Sequence, residues 1–154
     1  MQGQDPGAGR AALNEWSEKS QQNAAGIADM LGVPQEAYAA DPLSLLAALQ
    51  NYVSSLPLNE FEQSDWYTLH SDLASCLADI LIRRRGAEWN VVQDSTTARG
   101  YRYVLQARGQ DGSTHRVDPY DVVMEEFQNL PIEITRMIGN AEVTLGVTRL
   151  RTDE

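Results

Sequence analysis

EWNVVQDSTTARGYRYVLQARGQDGSTHRVDPY, residues 88–120, decides the fold. Side chains here alternate with a period of two, the spacing of a strand that buries one face. EWNVVQD (88–94) and YRYVLQAR (101–108) read as strands, and THRV (114–117) as a short third. GQDGS between the second and third is a turn, with glycine where a positive φ is required. The product is an antiparallel meander. Along the central strand Tyr101, Tyr103, Leu105 and Ala107 point one way, joined by Trp89 and Val91 of the first. Arg102, Val104, Gln106 and Arg108 point the other.

The aromatic and basic side chains therefore separate onto opposite faces. A platform for stacked bases needs both on one surface. The expectation is instead that the aromatics meet helices, leaving a basic outer strip of Arg102, Arg108 and Arg116 with Arg99 at its rim. That strip either pairs with the chain's own acids or faces an acidic partner. Exposed pairs of the first kind contribute only about 0–1 kcal/mol each.

Upstream of residue 86 the period is that of helices. SDWYTLHSDLASCLADILIRRRG (64–86) places Trp66, Leu69, Leu73, Leu77, Ile80 and Leu81 at three- and four-residue spacing, with Ser64 as the expected N-cap and Gly86 as the terminator. Arg83, Arg84 and Arg85 sit where the helix dipole favours cations. A second helix begins at Asp41–Pro42 and stops at Pro57; a first runs from about Arg10 to Leu31, closed by Gly32 and Pro34. Residues 1–9 read as a flexible tail. Downstream, Asp118 caps PYDVVMEEFQN, while PIEITRMIGNAEVTLGVTRL (131–150) mixes β-branched residues with Gly139 and fits helix or strand. The expected fold is α+β: a single domain over residues 10–150, with N-terminal helices packed on a three-stranded antiparallel meander and one or two C-terminal helices after it.

Composition narrows the function classes. The 154 residues carry 12 basic and 22 acidic side chains, a formal net charge of −10, which disfavours a polyanion such as nucleic acid as the main partner. Residues 1–82 hold eleven acids against Arg10 and Lys19, whereas residues 83–154 hold eleven acids against ten arginines. The acidic excess thus lies in the helical half. No apolar run is long enough for a membrane span, and MQGQDPGAGR has neither the basic nor the apolar region of a secretory leader, so the cytoplasm is the expected location. One cysteine, Cys76, permits no internal disulfide.

Catalytic signatures are missing from the sequence. No Gly-x-Ser-x-Gly elbow or phosphate-binding glycine loop occurs. His70 and Cys76 fall about 240° apart on one helix and diverge. Two histidines and one cysteine match no zinc spacing, and Asp118, Asp121 and Glu125 are explained by capping and solvation. No catalytic residue, metal or cofactor is expected.

Two classes of function follow. In the leading one the chain binds a protein partner, basic by charge complementarity, through Glu60, Glu62 and Asp65 before the third helix, and through Arg102, Arg108 and Arg116 on the sheet. In the alternative a small ligand or substrate enters a pocket between sheet and helices lined by Trp89, Tyr101, Tyr103 and His115. A homo-oligomer anchored on Trp16 is a third arrangement.

The order GAEWNVVQD, YRYVLQAR, VDPYDVVMEEF over residues 64–130 resembles several small bacterial α+β domains of unknown function. Some of these are encoded beside toxin or secretion genes as immunity-like or accessory proteins. The resemblance implies a non-enzymatic, protein-binding role and carries over no catalytic residue.

Overall fold

A single helix, α5 (Gln63–Arg85, 23 residues), forms the axis of the molecule. The computed structural model describes residues 6–148. All nine residues from Leu73 to Leu81 are buried, the mark of a helix covered on every side. Ser75, Cys76 and Asp79 are inside with the leucines. Asp79 is satisfied there: its carboxylate accepts the Tyr38 hydroxyl at 2.5 Å and pairs with Arg83 at 3.1 Å. Burial, with Asp79 beside it, raises the Tyr38 phenol above its ordinary value. Burial likewise pushes the Cys76 thiol from 9.0 up to about 12, helped by the Asp72 and Asp79 charges.

The N-cap of α5 is Glu62, not Ser64. From Glu62 the third helical residue is Asp65, whose carboxylate accepts the Glu62 N–H at 3.0 Å while Glu62 accepts from the Asp65 backbone. From Ser64 that position would be Tyr67, which cannot return the bond. At the other end Gly86, with φ of 70°, closes the helix in a left-handed conformation that costs glycine nothing.

Helix α2 (Leu13–Met30) packs along α5 with Ala24, Ile27 and Ala28 buried. It is preceded by a short helix, α1 (Pro6–Ala11), so residues 6–9 of the expected tail are helical; residues 1–5 lie outside the described residues. Helix α3 (Gln35–Ala40), which the sequence reading passed over, delivers Tyr38 to Asp79. Asp41 then caps a 3-10 turn at Pro42–Leu45 by accepting the Leu43 N–H at 2.9 Å, and α4 (Leu46–Ser54) follows.

The three strands lie where the alternation put them: β1 (Glu88–Gln93), β2 (Tyr101–Arg108) and β3 (Thr114–Val117), antiparallel in the order β1-β2-β3. Trp89 pairs with Leu105, Val91 with Tyr103 and Ala107 with His115, so the inner face has the expected membership. Leu105, Ala107 and Val117 join the same buried cluster as the helical leucines. The outer face is not a uniform basic strip, because Val104 is only 3% exposed. Two helices complete the chain. Asp118 caps α6 (Pro119–Phe127) through the Tyr120 N–H. The ambiguous last segment is a helix, α7 (Ile134–Thr144), burying Ile134, Met137, Ile138 and Ala141. Residues 149–154 lie outside the described residues. No helix among the described residues is long and apolar enough to cross a membrane.

Candidate functional site

Arg102 projects from β2 between the loop after β1 and the start of α6. Its guanidinium lies 3.0 Å from Asp118, 3.1 Å from Asp121 and 3.3 Å from Asp94. Partial burial works against the charge, and the three carboxylates outweigh it, so its pKa is raised. Asp118 moves upward too, because burial and the neighbouring Asp121 exceed the help from Tyr120 and Arg102. Asp94 is held below its usual value, chiefly by its bonds from Thr96. Arg102 is therefore an internal strut joining loop, strand and helix. It was expected on a partner-binding strip, and its charge is already spent. Asp118 and Asp121, weighed in the sequence as metal ligands, hold this guanidinium instead. Among the described residues no group of three or more His, Cys, Asp or Glu side chains is placed to hold a metal ion.

The other residues of the strip differ in kind. Arg108 is exposed, and Arg116 approaches Gln106 at 3.5 Å. Arg99 lies over the rings of Tyr101 (4.7 Å) and Tyr103 (5.1 Å), a cation–π contact on the inner side of the sheet.

The four residues of the expected pocket do not converge. Trp89, Tyr101 and Tyr103 assemble around Trp16 of α2. Trp16 stacks on Tyr103 at 4.5 Å and meets the edge of Trp89 at 5.5 Å. The Tyr103 hydroxyl donates to the Gly9 carbonyl at 2.9 Å, and a Cβ on Gly9 would lie 2.5 Å from the Tyr101 ring, so α1 sits directly on these tyrosines. The cavity beside Trp89 has only about 80 Å³, too small for the ligand expected there. His115 is at the far turn, wedged against Gly109 and Gly146. Its Nε2 meets Asp111 at 3.0 Å and Ser113 at 3.1 Å. A Ser-His-Asp relay needs serine and carboxylate on opposite ring nitrogens, and here both use one. The result is a tied turn in which the His115 hydrogen bond holds Asp111 far below the usual carboxylate range.

Of the larger hollows, two lie on either side of Tyr67. The first is a polar cleft of about 540 Å³ against Arg102, Arg99, Trp16, Tyr120 and Tyr103, the one residue of the expected pocket that lines it. The second is an apolar groove of about 470 Å³ between the first turns of α5 and the end of α6. Gln63, Trp66, Tyr67 and His70, spaced for one helical face, form its α5 wall; Met124, Phe127 and Leu130 form the other. Trp66 stands edge-on to both Phe61 and Phe127, at 5.2 and 5.0 Å. The His70 ring is fixed by the Tyr120 carbonyl 2.8 Å from its Nε2. Tyr67 is 75% exposed, Leu130 49% and Met124 44%. Isolated exposed apolar residues are ordinary, but three bordering one groove are not.

The acids expected to bind a partner sit around this groove unequally. Glu60 and Glu62 are exposed just ahead of its α5 wall. Asp65 is turned into the helix cap and falls roughly 200° from Gln63 around the axis, away from the lining residues. Tyr67, Met124 and Leu130 were missed in the sequence. For Tyr67 and Met124 the signal was an apolar residue lying off the buried stripe of its own helix; Leu130 stands in the turn after α6.

No family model matches the chain, and no curated protein or solved structure matches it.

Proposed function

We propose that the chain is a protein-binding factor of the immunity, inhibitor or secretion-accessory type, and that the groove between α5 and α6 receives an amphipathic, basic segment of its partner. The observation that carries this reading is the exposure of Tyr67, Met124 and Leu130 around one apolar groove of about 470 Å³. A groove of this form suits the apolar face of a helix or extended segment, with methionine adapting to its side chains. Charge supplies the second half of the argument. The chain has a net charge of −10, and Glu60 and Glu62 are exposed just ahead of the groove's α5 wall. A basic partner gains in association rate from such a field.

The test is site-specific photo-crosslinking in the native host, with a benzophenone side chain at position 67, at position 124, or at exposed Asn140 as control. One protein captured from positions 67 and 124 but not from 140, with an association rate that falls as salt rises, is the expected result. Equal capture from all three positions removes the reading. The acid substitution belongs at Glu60, because changing Glu62 or Asp65 also uncaps α5.

A further inference from the structure

The polar cleft points to a second activity that does not depend on the groove. It continues past Trp16, Ser71 and Tyr120 into a further hollow of about 450 Å³ between α2 and α5, so the two form one trough. The trough has aromatic rings at its waist; Ser20, Asn23 and Thr68 line one side together with Lys19 and Asp72, and Thr96 and Thr97 line the other.

Its charges nearly balance: Asp72, Asp94, Asp118 and Asp121 face Lys19, Arg99 and Arg102, with Arg102 held among three of the carboxylates and Arg99 on the tyrosine faces. An anion placed here meets four carboxylates, and a cation meets two guanidiniums and an ammonium, so neither gains much. Hydrogen-bonding capacity is nevertheless left over. The Nη2 of Arg102 has no partner among the described residues, and Asp121, 71% exposed, uses only one carboxylate oxygen on Arg102. A free donor and a free acceptor thus belong to two paired side chains in a nearly balanced field. The group that answers both is a hydroxyl, and a pair of neighbouring hydroxyls answers them together. The C–H faces of a pyranose ring suit the aromatic waist, and the volume suits one or two rings. We propose that this trough binds a neutral polyhydroxylated molecule, a mono- or disaccharide.

The experiment is an NMR titration of the full chain, following the indole N–H signals of its three tryptophans. Glucose, galactose, maltose, cellobiose and trehalose are the probes; glucuronate, glucosamine and phenylalanine are the anionic, cationic and zwitterionic comparators. A saturable, millimolar-range shift of the Trp16 signal with a neutral sugar, and an unmoved Trp66 in the groove, is expected. Asp121→Ala should then weaken that sugar by about fivefold, roughly one hydrogen bond. Ser71→Val, which crowds the waist, provides the same check should Asp121→Ala fail to fold. No saturable shift with any neutral sugar, tighter binding of a charged comparator, or affinity unchanged in both variants overturns the proposal.

Discussion

The two halves of α5 each mix polar and apolar residues and meet opposite fates. From Leu73 to Leu81 every residue is buried, including a serine, a cysteine and an aspartate. From Gln63 to Tyr67 only Trp66 is even partly covered, and an aromatic ring stands 75% in solvent. The C-terminal half is enclosed by α2 and by Tyr38 of α3, which brings the hydroxyl that Asp79 requires. The N-terminal half has α6 on one flank and nothing described over Tyr67. Polar side chains in the first half behave as structural parts, and apolar side chains in the second behave as surface. Residue type alone therefore misleads about role in both places, and the partners decide.

That contrast is open to attack from its strongest point downward. Leu77→Ala removes a fully buried side chain from the enclosed half and should cost about 3 kcal/mol, read from the urea midpoint at constant m-value. A loss below about 1 kcal/mol would show that this half is not close-packed. Asp79→Asn keeps the side chain's shape but weakens the bonds from Tyr38 and Arg83, an expected loss of about 2 kcal/mol. Stability unchanged in that variant would mean that the buried carboxylate contributes nothing.

Alkali tests the same half without mutation. The Cys76 thiol is raised in the folded state, from 9.0 to about 12, so above pH 9 the unfolded chain has released a proton that the folded chain retains. The sign is then fixed: this contribution is intact below pH 9 and declines as pH rises towards 12, by at most about 1.4 kcal/mol per pH unit. Tyr38, raised in the same direction, adds to the trend at its upper end. Unfolding followed between pH 8 and 11, in wild type and Cys76→Ala, should show a shallower decline in the variant. Parallel curves would place the alkaline sensitivity elsewhere. The smallest effect belongs to the exposed half: Tyr67→Ser should change stability by less than about 0.5 kcal/mol while removing photo-crosslinked partner capture at position 124. A large loss of stability there would make Tyr67 a core residue and dissolve the contrast.

How much of this was legible in the sequence depended on the range of the interactions involved. Strand boundaries came within a residue because alternation and the bracketing Gly100 and Gly109 are local signals. The spacing of Ile134, Met137, Ile138 and Ala141 is helical, yet β-branched neighbours and Gly139 spoke against it; burial of that face decided the matter. The Glu62 cap was hidden by the more usual Ser64, although Asp65 held the reciprocal half of the motif. The sites were less legible than the fold. Arg102 finds carboxylates 8, 16 and 19 positions away, brought together only when the hairpin folds beside α6. Trp89 and Tyr103 were expected to line a pocket, but Trp16, more than 70 residues before either, fills the space. The exposure of Tyr67 and Met124 was not legible, because periodicity marks which face of a helix is apolar and not whether anything covers it.

The aromatic arrangement has a further consequence, in the way the molecule handles light. Trp16 and Trp89 cross at 90° with centroids 5.5 Å apart, while Trp66 stands among phenylalanines in the groove. Two indoles so close share their excitation, and their near-ultraviolet dichroism exists only while α2 lies on the sheet. Trp66, isolated from that pair, is left to respond to whatever enters the groove. The three chromophores thus divide between the interior and the surface, so that spectral changes from docking of α2 and from occupation of the groove arise from different tryptophans in the same sample.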